Sequence, residues 1–373
     1  MDRVYFDYNA TTPLAPEVAL AMRPFMDEAY GNPSSLHWAG QRARTAIEHA
    51  RCQVANLLGC EPTEVIFTSG GTEANNAGLA GVYFSNNKHT PPHFIVSIVE
   101  HPSVAKTVDF LERLGAQVTR VAVDRYGEVD PEDVRRAIRP NTALVSVMHA
   151  NNEVGTIEPI AQIAAIARQH GVLMHSDAAQ STGKIPVNVD DLGVDLLTIA
   201  GHKMYATQGV GALFIRKGVT LEPFMHGAAH EAGRRAGTEN VLEIVALGAA
   251  CELAEQSTDA TSVRNLRDHF WQLLEERFGE IVVLNGHPER RLPNTLNVSF
   301  TNHFGHAILS RMDRLAASTG SACHDGSYNL SPVLHAMGVP ESIGLGAIRF
   351  SLGRNSTLEE VESVVEQLSN VFT

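Results

Sequence analysis

The stretch Val65-Ile66-Phe67-Thr68-Ser69-Gly70-Gly71-Thr72 passes from a short apolar run, through a turn of small residues, into a helical pattern. The same order of strand and helix recurs as far as Ile215. Strands that alternate with helices indicate βαβ units, so we predict an α/β fold with a mainly parallel sheet. Further apolar runs lie at residues 94–99, 143–148, 172–175, 196–199 and 209–215, and helical patterns lie at residues 41–59, 103–114 and 160–170.

The pattern changes beyond a helix rich in alanine and leucine at residues 240–254. A helix at 263–277 and strands at 281–284 and 296–300 precede a last helix, for which Thr357 and Glu360 form a capping box. We predict two domains, a large one of residues 15–255 and a small α+β domain made of residues 1–14 and 256–373. The extreme N-terminus is thus expected to pack with the C-terminal part.

The composition limits the class of protein. The 373 residues include 42 acidic and 29 basic side chains, a formal net charge of −13. Nucleic acid is therefore a poor expectation as the main partner, because neutralising its phosphates needs a basic face. Hydrophobic residues make up 44% and charged residues 19%, as in globular proteins, which excludes a disordered chain or a coiled coil. No run approaches the roughly 18 apolar residues that span a bilayer, and the start shows no signal core. We expect a cytoplasmic protein that binds neither membrane nor nucleic acid.

The four cysteines are too few and too scattered for a disulfide scaffold. Cys52 and Cys251 fall within apolar helical patterns, so we predict that both thiols are buried and inert. Cys323 differs because it lies in Ser321-Ala322-Cys323-His324-Asp325, a run of small and polar residues typical of a loop. A thiol in such a loop is accessible, and the neighbouring imidazole could help to form the thiolate.

Polar side chains follow several of the predicted strands. Ligands of parallel sheets bind beyond the carboxyl ends of the strands, so these side chains are expected to meet at one site. Taken singly, each has a plainer explanation, such as a capped turn, a histidine at a helix start or a surface lysine. The residues at the strand ends are Gly71 and Thr72, His101, Asn152, Asp177 and Gln180, and His202 and Lys203.

Together these residue types meet the needs of pyridoxal phosphate. Gly71 and Thr72 at the start of a helix offer N–H groups and a helix dipole to a phosphate. Lys203 can form a Schiff base with the aldehyde, Asp177 can keep the pyridine nitrogen protonated, and an imidazole can stack on the ring.

Here the chain also resembles the cysteine desulfurases, a class-V aminotransferase-like group of fold-type I pyridoxal-phosphate enzymes, and it is similar to the selenocysteine lyases within that group. The resemblance runs almost from end to end. It implies a mainly parallel seven-stranded sheet in the large domain and a small α+β domain that carries the catalytic cysteine loop. Its blocks include Asp7-Tyr8-Asn9-Ala10-Thr11-Thr12-Pro13, Gly31-Asn32-Pro33-Ser34-Ser35, residues 68–76, residues 150–155, Gly201-His202-Lys203, Ala236-Gly237-Thr238-Glu239-Asn240, residues 320–323 and Ile348-Arg349-Phe350-Ser351-Leu352-Gly353-Arg354.

The resemblance implies a role for each site residue. Lys203 would hold the cofactor and then act as acid and base, and Asp177 would contact the pyridine nitrogen. His101 would stack on the ring and Gln180 would contact its phenolic oxygen. The further implied contacts are Gly71, Thr72 and His202 with the phosphate, Asn152 and Arg349 with the substrate carboxylate, and Thr238 with the phosphate of the neighbouring subunit of a homodimer.

The resemblance further implies that Cys323 is the nucleophile. It would take sulfur from L-cysteine, leaving L-alanine and a Cys323 persulfide, and the sulfur would pass to an acceptor such as a protein of iron–sulfur cluster assembly. The chain also departs from the family. Ala200 replaces a usual serine, Ala206 lies in an altered turn after Lys203, and a third group of departures is Ala228, Ala229 and Ala232.

Three alternatives remain open at this stage. A selenocysteine lyase would use the same chemistry, and the segment Ser321–Asp325 with Ser331-Pro332-Val333-Leu334 resembles the lyase form of the loop. A metal-dependent hydrolase is disfavoured, since the 17 histidines are dispersed without a His-x-x-x-His or His-Glu-x-x-His pair on a predicted helix. A non-catalytic sulfur-trafficking scaffold would need neither Lys203 nor Cys323. We therefore predict no metal site and favour the desulfurase.

Overall fold

A computed structural model of the chain describes residues 3–86, 90–256, 260–319 and 329–372. Its helices are α1 Pro16–Met22, α2 Pro24–Asp27, α3 Trp38–Leu58, α4 Gly71–Asn86, α5 Pro102–Arg113, α6 Pro131–Ala137, α7 Ile160–Gln169, α8 Val189–Leu192, α9 Val241–Gln256, α10 Thr261–Phe278, α11 Gly305–Leu309, α12 Pro332–Ala336, α13 Glu341–Gly344 and α14 Leu358–Phe372. Its strands are β1 Val4–Tyr5, β2 Val65–Thr68, β3 His93–Ser97, β4 Gln117–Val121, β5 Thr142–Ser146, β6 Leu173–Asp177, β7 Leu196–Ala200, β8 Gly211–Ile215, β9 Val282–Asn285, β10 Thr295–Phe300, β11 Leu315–Ala316 and β12 Ala347–Ser351.

Seven strands form the central sheet in the order β2-β8-β7-β6-β5-β3-β4. The strands from β7 to β4 are parallel to their neighbours, whereas β8 is antiparallel to both β7 and β2. This topology confirms the predicted α/β fold with a mainly parallel seven-stranded sheet.

Both faces of the central sheet are covered by helices. Alternate residues of a strand point to opposite faces, so Val65 and Phe67 of β2 belong to one hydrophobic cluster and Ile66 belongs to another. The first cluster contains side chains of α1, α3, α7 and α9, and the second contains side chains of α4 and α5. The apolar runs read from the sequence are therefore the middle layer of three.

The C-terminal part has a second sheet. Strands β12, β10 and β9 pair in that order, each antiparallel to its neighbour. Val4 and Phe6 lie in the hydrophobic cluster of this part, among side chains of α10, β12 and α14, and β1 pairs in parallel with β11. The capping box of α14 is present, because the N–H groups of Thr357 and Glu360 donate to each other's side chains. The domain boundary near residue 255 stays a prediction.

Two local expectations differ from the structure. Strand β4 was not anticipated, because it lies at the edge of the sheet and most of its residues are partly or fully exposed, so it shows no apolar run. The prediction that Cys52 is buried is wrong, since its side chain is exposed on α3. Ala50 and Val54 point into the core, and Cys52 lies about 200° around the helix from each of them. Cys251 is buried as predicted.

Within the described ranges, no helix combines the length and the apolar character that crossing a bilayer requires.

A buried ion pair attaches a loop to the central sheet. The Arg51 guanidinium on α3 donates to both carboxylate oxygens of Glu231, over 2.7 and 2.8 Å, and to the carbonyl of Val65. Glu231 also accepts the N–H of Phe67 at 3.0 Å, and its side chain is only 2% exposed. A charge buried to this degree depends on its partner, because water cannot replace the partner.

We expect Glu231→Ala to lower the free energy of unfolding by about 3–5 kcal/mol, since Arg51 would keep its buried charge without a counter-ion. Urea unfolding followed by circular dichroism measures the change. Glu48→Ala is the matched control, because Glu48 contacts the same guanidinium at 3.3 Å but is 58% exposed, and its loss should cost less than about 1 kcal/mol. Equal effects of the two substitutions would contradict the assignment of Glu231 as the principal partner.

Candidate active site

A cavity of about 260 Å³ lies beyond the carboxyl ends of the parallel strands. It brings together nine of the residues predicted from the sequence, although they come from six separate segments of the chain. These residues are Gly71, Thr72, His101, Asn152, Asp177, Gln180, His202, Lys203 and Arg349.

Lys203 lies at the end of a single 3-10 turn, Gly201–Lys203, that directly follows β7. Its Nζ donates to the backbone carbonyls of Asn9 and Ala10, each at 2.6 Å. Burial, with a further contribution from the positive charge of Arg349, lowers the pKa of Lys203 to about 8. The side chain therefore supplies an appreciable fraction of neutral, nucleophilic amine near neutral pH.

Asp177 ends β6 and is 7% exposed. Its Oδ2 accepts the side-chain N–H of Asn75 at 2.7 Å, and its Oδ1 accepts the backbone N–H of Ala179 at 2.9 Å. Asn75 also donates to Ser103 at 2.8 Å and is completely buried. The carboxylate is thus held in one orientation at the wall of the cavity.

His101 is the N-cap residue of α5. Its Nδ1 accepts the backbone N–H of Ser103 at 3.2 Å and lies 2.7 Å from the hydroxyl of that residue. Burial lowers the pKa of His101, the charge of Asp177 opposes this shift, and the charge of Lys203 adds to it. A cap contact and a proline at the next position fix the ring at the cavity.

One corner of the cavity is suited to an anion. The 16-residue helix α4 begins at Gly71, so its first N–H groups and the positive end of its dipole face this corner. A Cβ atom at Gly71 would come within 3.3 Å of the Cβ of Ala200, which shows that the methyl group of Ala200 lines the same corner without a hydroxyl. Burial, followed by the charges of Lys203 and Lys184, lowers the pKa of His202 to about 4.

Arg349 on β12 brings the C-terminal sheet to the cavity. One guanidinium nitrogen donates to the carbonyl of Asn152 at 2.9 Å, and another donates to the carboxylate of Asp7 at 2.8 Å. Its Nε is buried and has no hydrogen-bond partner among the residues that the structure describes. The guanidinium is therefore fixed in place and retains donors for a carboxylate.

Lys184 and Asn9 are among the residues at the site that were not singled out from the sequence. Lys184 donates to Gln180 Oε1 at 2.8 Å and to Asn9 Oδ1 at 3.2 Å, and burial lowers its pKa well below the usual range. Asn9 accepts from Gln180 through its backbone carbonyl at 2.9 Å. Asn9 belongs to a block that carried the resemblance, whereas Lys184 lies in a turn and no periodic pattern indicates it.

One predicted site residue does not line this cavity, and a second lies outside the residues that the structure describes. Thr238 is exposed and lines a different cavity, with Ser69, Arg235 and Glu239. Cys323 lies outside the described residues. Of the departures from the family, Ala206 is buried in the core, whereas Ala228, Ala229 and Ala232 are exposed.

The residues present fit pyridoxal phosphate by their chemistry. A helix N-terminus suits the phosphate, Asp177 suits a protonated ring nitrogen, and Lys203 suits the aldehyde. Asn75 Oδ1 is buried beside Asp177 and finds no partner in the described part of the chain, so the cavity retains unused hydrogen-bonding capacity. Among the residues that the structure describes, no group of three or more His, Cys, Asp or Glu side chains could hold a metal ion.

Comparisons with known proteins agree along the whole chain. The model of the family Aminotransferase class-V matches residues 4–364. The cysteine desulfurase IscS of Dictyoglomus turgidum is 48% identical over 99% of this chain and 96% of its own length. The cysteine desulfurase IscS of Methanosarcina thermophila is 44% identical over 99% of this chain and 91% of its own length.

Solved structures give the same result. A NifS-like protein superposes with a TM-score of 0.93 at 37% identity and covers 99% of both chains. The protein SspA, solved in complex with cysteine, gives a TM-score of 0.85 at 35% identity over 94% of this chain and 98% of that chain. The lysine, aspartate and arginine of the cavity suit an amino-acid substrate and its cofactor, as expected for a relative of these proteins. The chain belongs to the class-V aminotransferase family and, within it, to the cysteine desulfurases, whose cofactor is pyridoxal 5'-phosphate.

Proposed function

We propose that this enzyme converts L-cysteine to L-alanine and takes the sulfur atom onto Cys323. The Cβ–S bond of the substrate breaks, an S–S bond forms at Cys323, and the products are L-alanine and a Cys323 persulfide. Atoms and electrons balance, because one thiol and cysteine give one persulfide and alanine. The observation that carries the proposal is the meeting of Lys203, Asp177 and Arg349 around one cavity.

The cavity residues would hold the cofactor at three places. Gly71, Thr72 and His202 would contact the phosphate, Asp177 would contact the ring nitrogen, and Lys203 would make the covalent link. His101 would lie against the ring and Gln180 would contact its phenolic oxygen. When bound, pyridoxal phosphate supplies an electron sink for bond cleavage at the substrate.

The chain's own groups would perform the remaining steps. Arg349 and Asn152 would orient the substrate carboxylate, for which a guanidinium offers a bidentate fork. Lys203 would move the proton at the substrate Cα, because its lowered pKa allows it to accept and return a proton near neutral pH. Cys323 would attack the substrate sulfur as a thiolate.

The proposal includes a homodimer in which Thr238 reaches the phosphate of the neighbouring subunit. The exposure of Thr238, away from the cavity of its own chain, supports this arrangement. Several large apolar side chains within residues 20–38 are also exposed, which is compatible with an interface. They are Leu20, Met26, Tyr30, Leu36 and Trp38. An acceptor protein of iron–sulfur cluster assembly and a cytoplasmic location complete the proposal.

The purified protein should show an absorbance band in the visible or near ultraviolet from cofactor bound to Lys203. Addition of L-cysteine should change this band while alanine and sulfide accumulate, and both are assayed in the same cuvette. Lys203→Ala should lose the band and nearly all turnover. Lys106→Ala is the matched control, because Lys106 is an exposed lysine on α5. Normal turnover in Lys203→Ala would contradict the assignment of Lys203 to the cofactor. No band in the wild type, even with added cofactor, would contradict the proposal and favour a scaffold.

Cys323→Ala should keep the cofactor band and its response to amino acids, yet release no sulfur from L-cysteine, because the acceptor thiol is missing. Cys52→Ala, which removes an exposed thiol, should leave sulfur release unchanged. Alanine formation from L-cysteine and from L-selenocysteine should be measured in both variants. If Cys323→Ala retains selenocysteine cleavage while it loses cysteine cleavage, the selenocysteine lyase alternative gains support.

Cofactor loading of the apoprotein should rise with pH and level off above about pH 8. Only the neutral amine of Lys203 attacks the aldehyde, and its pKa is lowered to about 8. Well below this value the rate of band formation should fall about tenfold for each pH unit. Arg349→Gln should move the midpoint upward and Asp7→Asn should move it downward, since the two charges act on Lys203 in opposite directions. A rate that still rises beyond pH 10 would contradict the lowered pKa.

A further inference from the structure

Lys184 hydrogen-bonds to Gln180, which lines the cavity. The two residues lie in the turns that follow β6, and the Lys184 amine donates to Gln180 Oε1 at 2.8 Å. The same amine donates to Asn9 Oδ1 at 3.2 Å. Lys184 itself is absent from the lining of the cavity that holds Lys203 and Asp177.

These contacts fix the direction of the Gln180 side-chain amide. The oxygen and nitrogen of an amide are alike in shape, so their surroundings decide which atom points where. Gln180 Oε1 faces the Lys184 donor, and Gln180 Nε2 donates at 2.9 Å to the backbone carbonyl of Asn9, which can only accept. A reversed amide would set oxygen against oxygen at Asn9. Gln180 lines the cavity, so the second N–H of its Nε2 is the donor that remains for a group bound there.

We propose that Lys184 is a positioning residue that holds the Gln180 amide so that Gln180 presents an N–H, and never a C=O, to the phenolic oxygen of the cofactor. This inference rests on the proposed function, in which Gln180 contacts that oxygen. An N–H donor stabilises negative charge on the phenolic oxygen. That oxygen then attracts less strongly the proton on the neighbouring nitrogen, which links Lys203 to the cofactor. The donor therefore lowers the pKa of the linking nitrogen.

Among the described residues, other charged and titratable groups line the cavity or contact a residue that lines it. They are His101 from α5, Asp177 from β6, His202 from the turn after β7, Arg349 from β12 and Asp7 from the N-terminal segment. Substitutions at Lys184 and Gln180 leave all of them in place. Lys184→Met also removes the charge of Lys184, which acts on Lys203 directly. A change of the band with pH therefore reports on the amide only where Gln180→Leu shows it too and the two shifts do not add.

The test is a pH titration of the absorbance band in cofactor-loaded protein. In Lys184→Met the midpoint should move upward by about one pH unit, because Gln180 loses the contact that fixes it. Gln180→Leu should move the midpoint in the same direction. In the double variant, Lys184→Met should add less than half of the shift that it causes alone, since residues that act through one another are not additive.

Two controls separate positioning from mere stability. Lys106→Met, at an exposed lysine, should change neither the midpoint nor the thermal unfolding temperature. Asn294→Ala removes a 3.0 Å contact to the same Asn9 oxygen that Lys184 contacts, so it should lower the unfolding temperature without moving the midpoint.

Three results would overturn the inference. The first is an unchanged midpoint in Lys184→Met together with a lower unfolding temperature, which is the outcome for a purely structural residue. The second is a full Lys184→Met shift in the Gln180→Leu background, which would mean that Lys184 acts independently of the amide. The third is an unchanged midpoint in Gln180→Leu, which decides the question even if Lys184→Met fails to fold. A wild-type protein without any band is a different result, because it refutes the proposed function itself.

Discussion

Asn9 joins parts of the chain that are far apart in sequence, and the geometry of the site depends on it. Its backbone carbonyl accepts from Lys203 at 2.6 Å, and its side-chain oxygen accepts from Lys184 and from Asn294. Its side-chain nitrogen donates to Thr295 on β10 at 2.8 Å. Asn9 is 1% exposed, so each of these contacts replaces water, and an unmade contact would carry the full cost of desolvation.

The same arrangement controls the electrostatics of the cavity. Lys203 and Lys184 are held by carbonyl and amide oxygens, which satisfy their N–H groups without neutralising their charge. Burial therefore lowers the pKa of both amines, and the charge of Arg349 adds to the effect. Two aspartates supply the opposing negative charge. Asp177 lies in the wall of the cavity, and Asp7 contacts the guanidinium of Arg349. The result is an anion-accepting site that contains a reactive amine.

Much of the fold and of the site could be predicted from local pattern. The strand runs stand out because their side chains are buried on both faces, and the chemistry at their ends follows from the geometry of a parallel sheet. Strand β4 was missed because an edge strand needs no apolar run. Cys52 was wrongly predicted to be buried. An apolar helical pattern identifies only the buried face of a helix, and Cys52 lies on the opposite face of α3. Lys184 had no local signal, since its partner Asn9 is remote in sequence.

The sequence by itself determined the alternation of strands and helices, the family, and nine of the residues that line the cavity. These features follow from hydrophobic periodicity and from short sequence motifs, each of which can be read from residues that are close together in the chain. Only the tertiary structure decided that Asn9 supports Lys203, that Lys184 fixes the Gln180 amide, and that Asp7 occupies one donor of Arg349. Such contacts depend on how the N-terminal segment, the strand ends and β12 pack against one another, and packing between remote segments leaves no periodic trace in a single sequence.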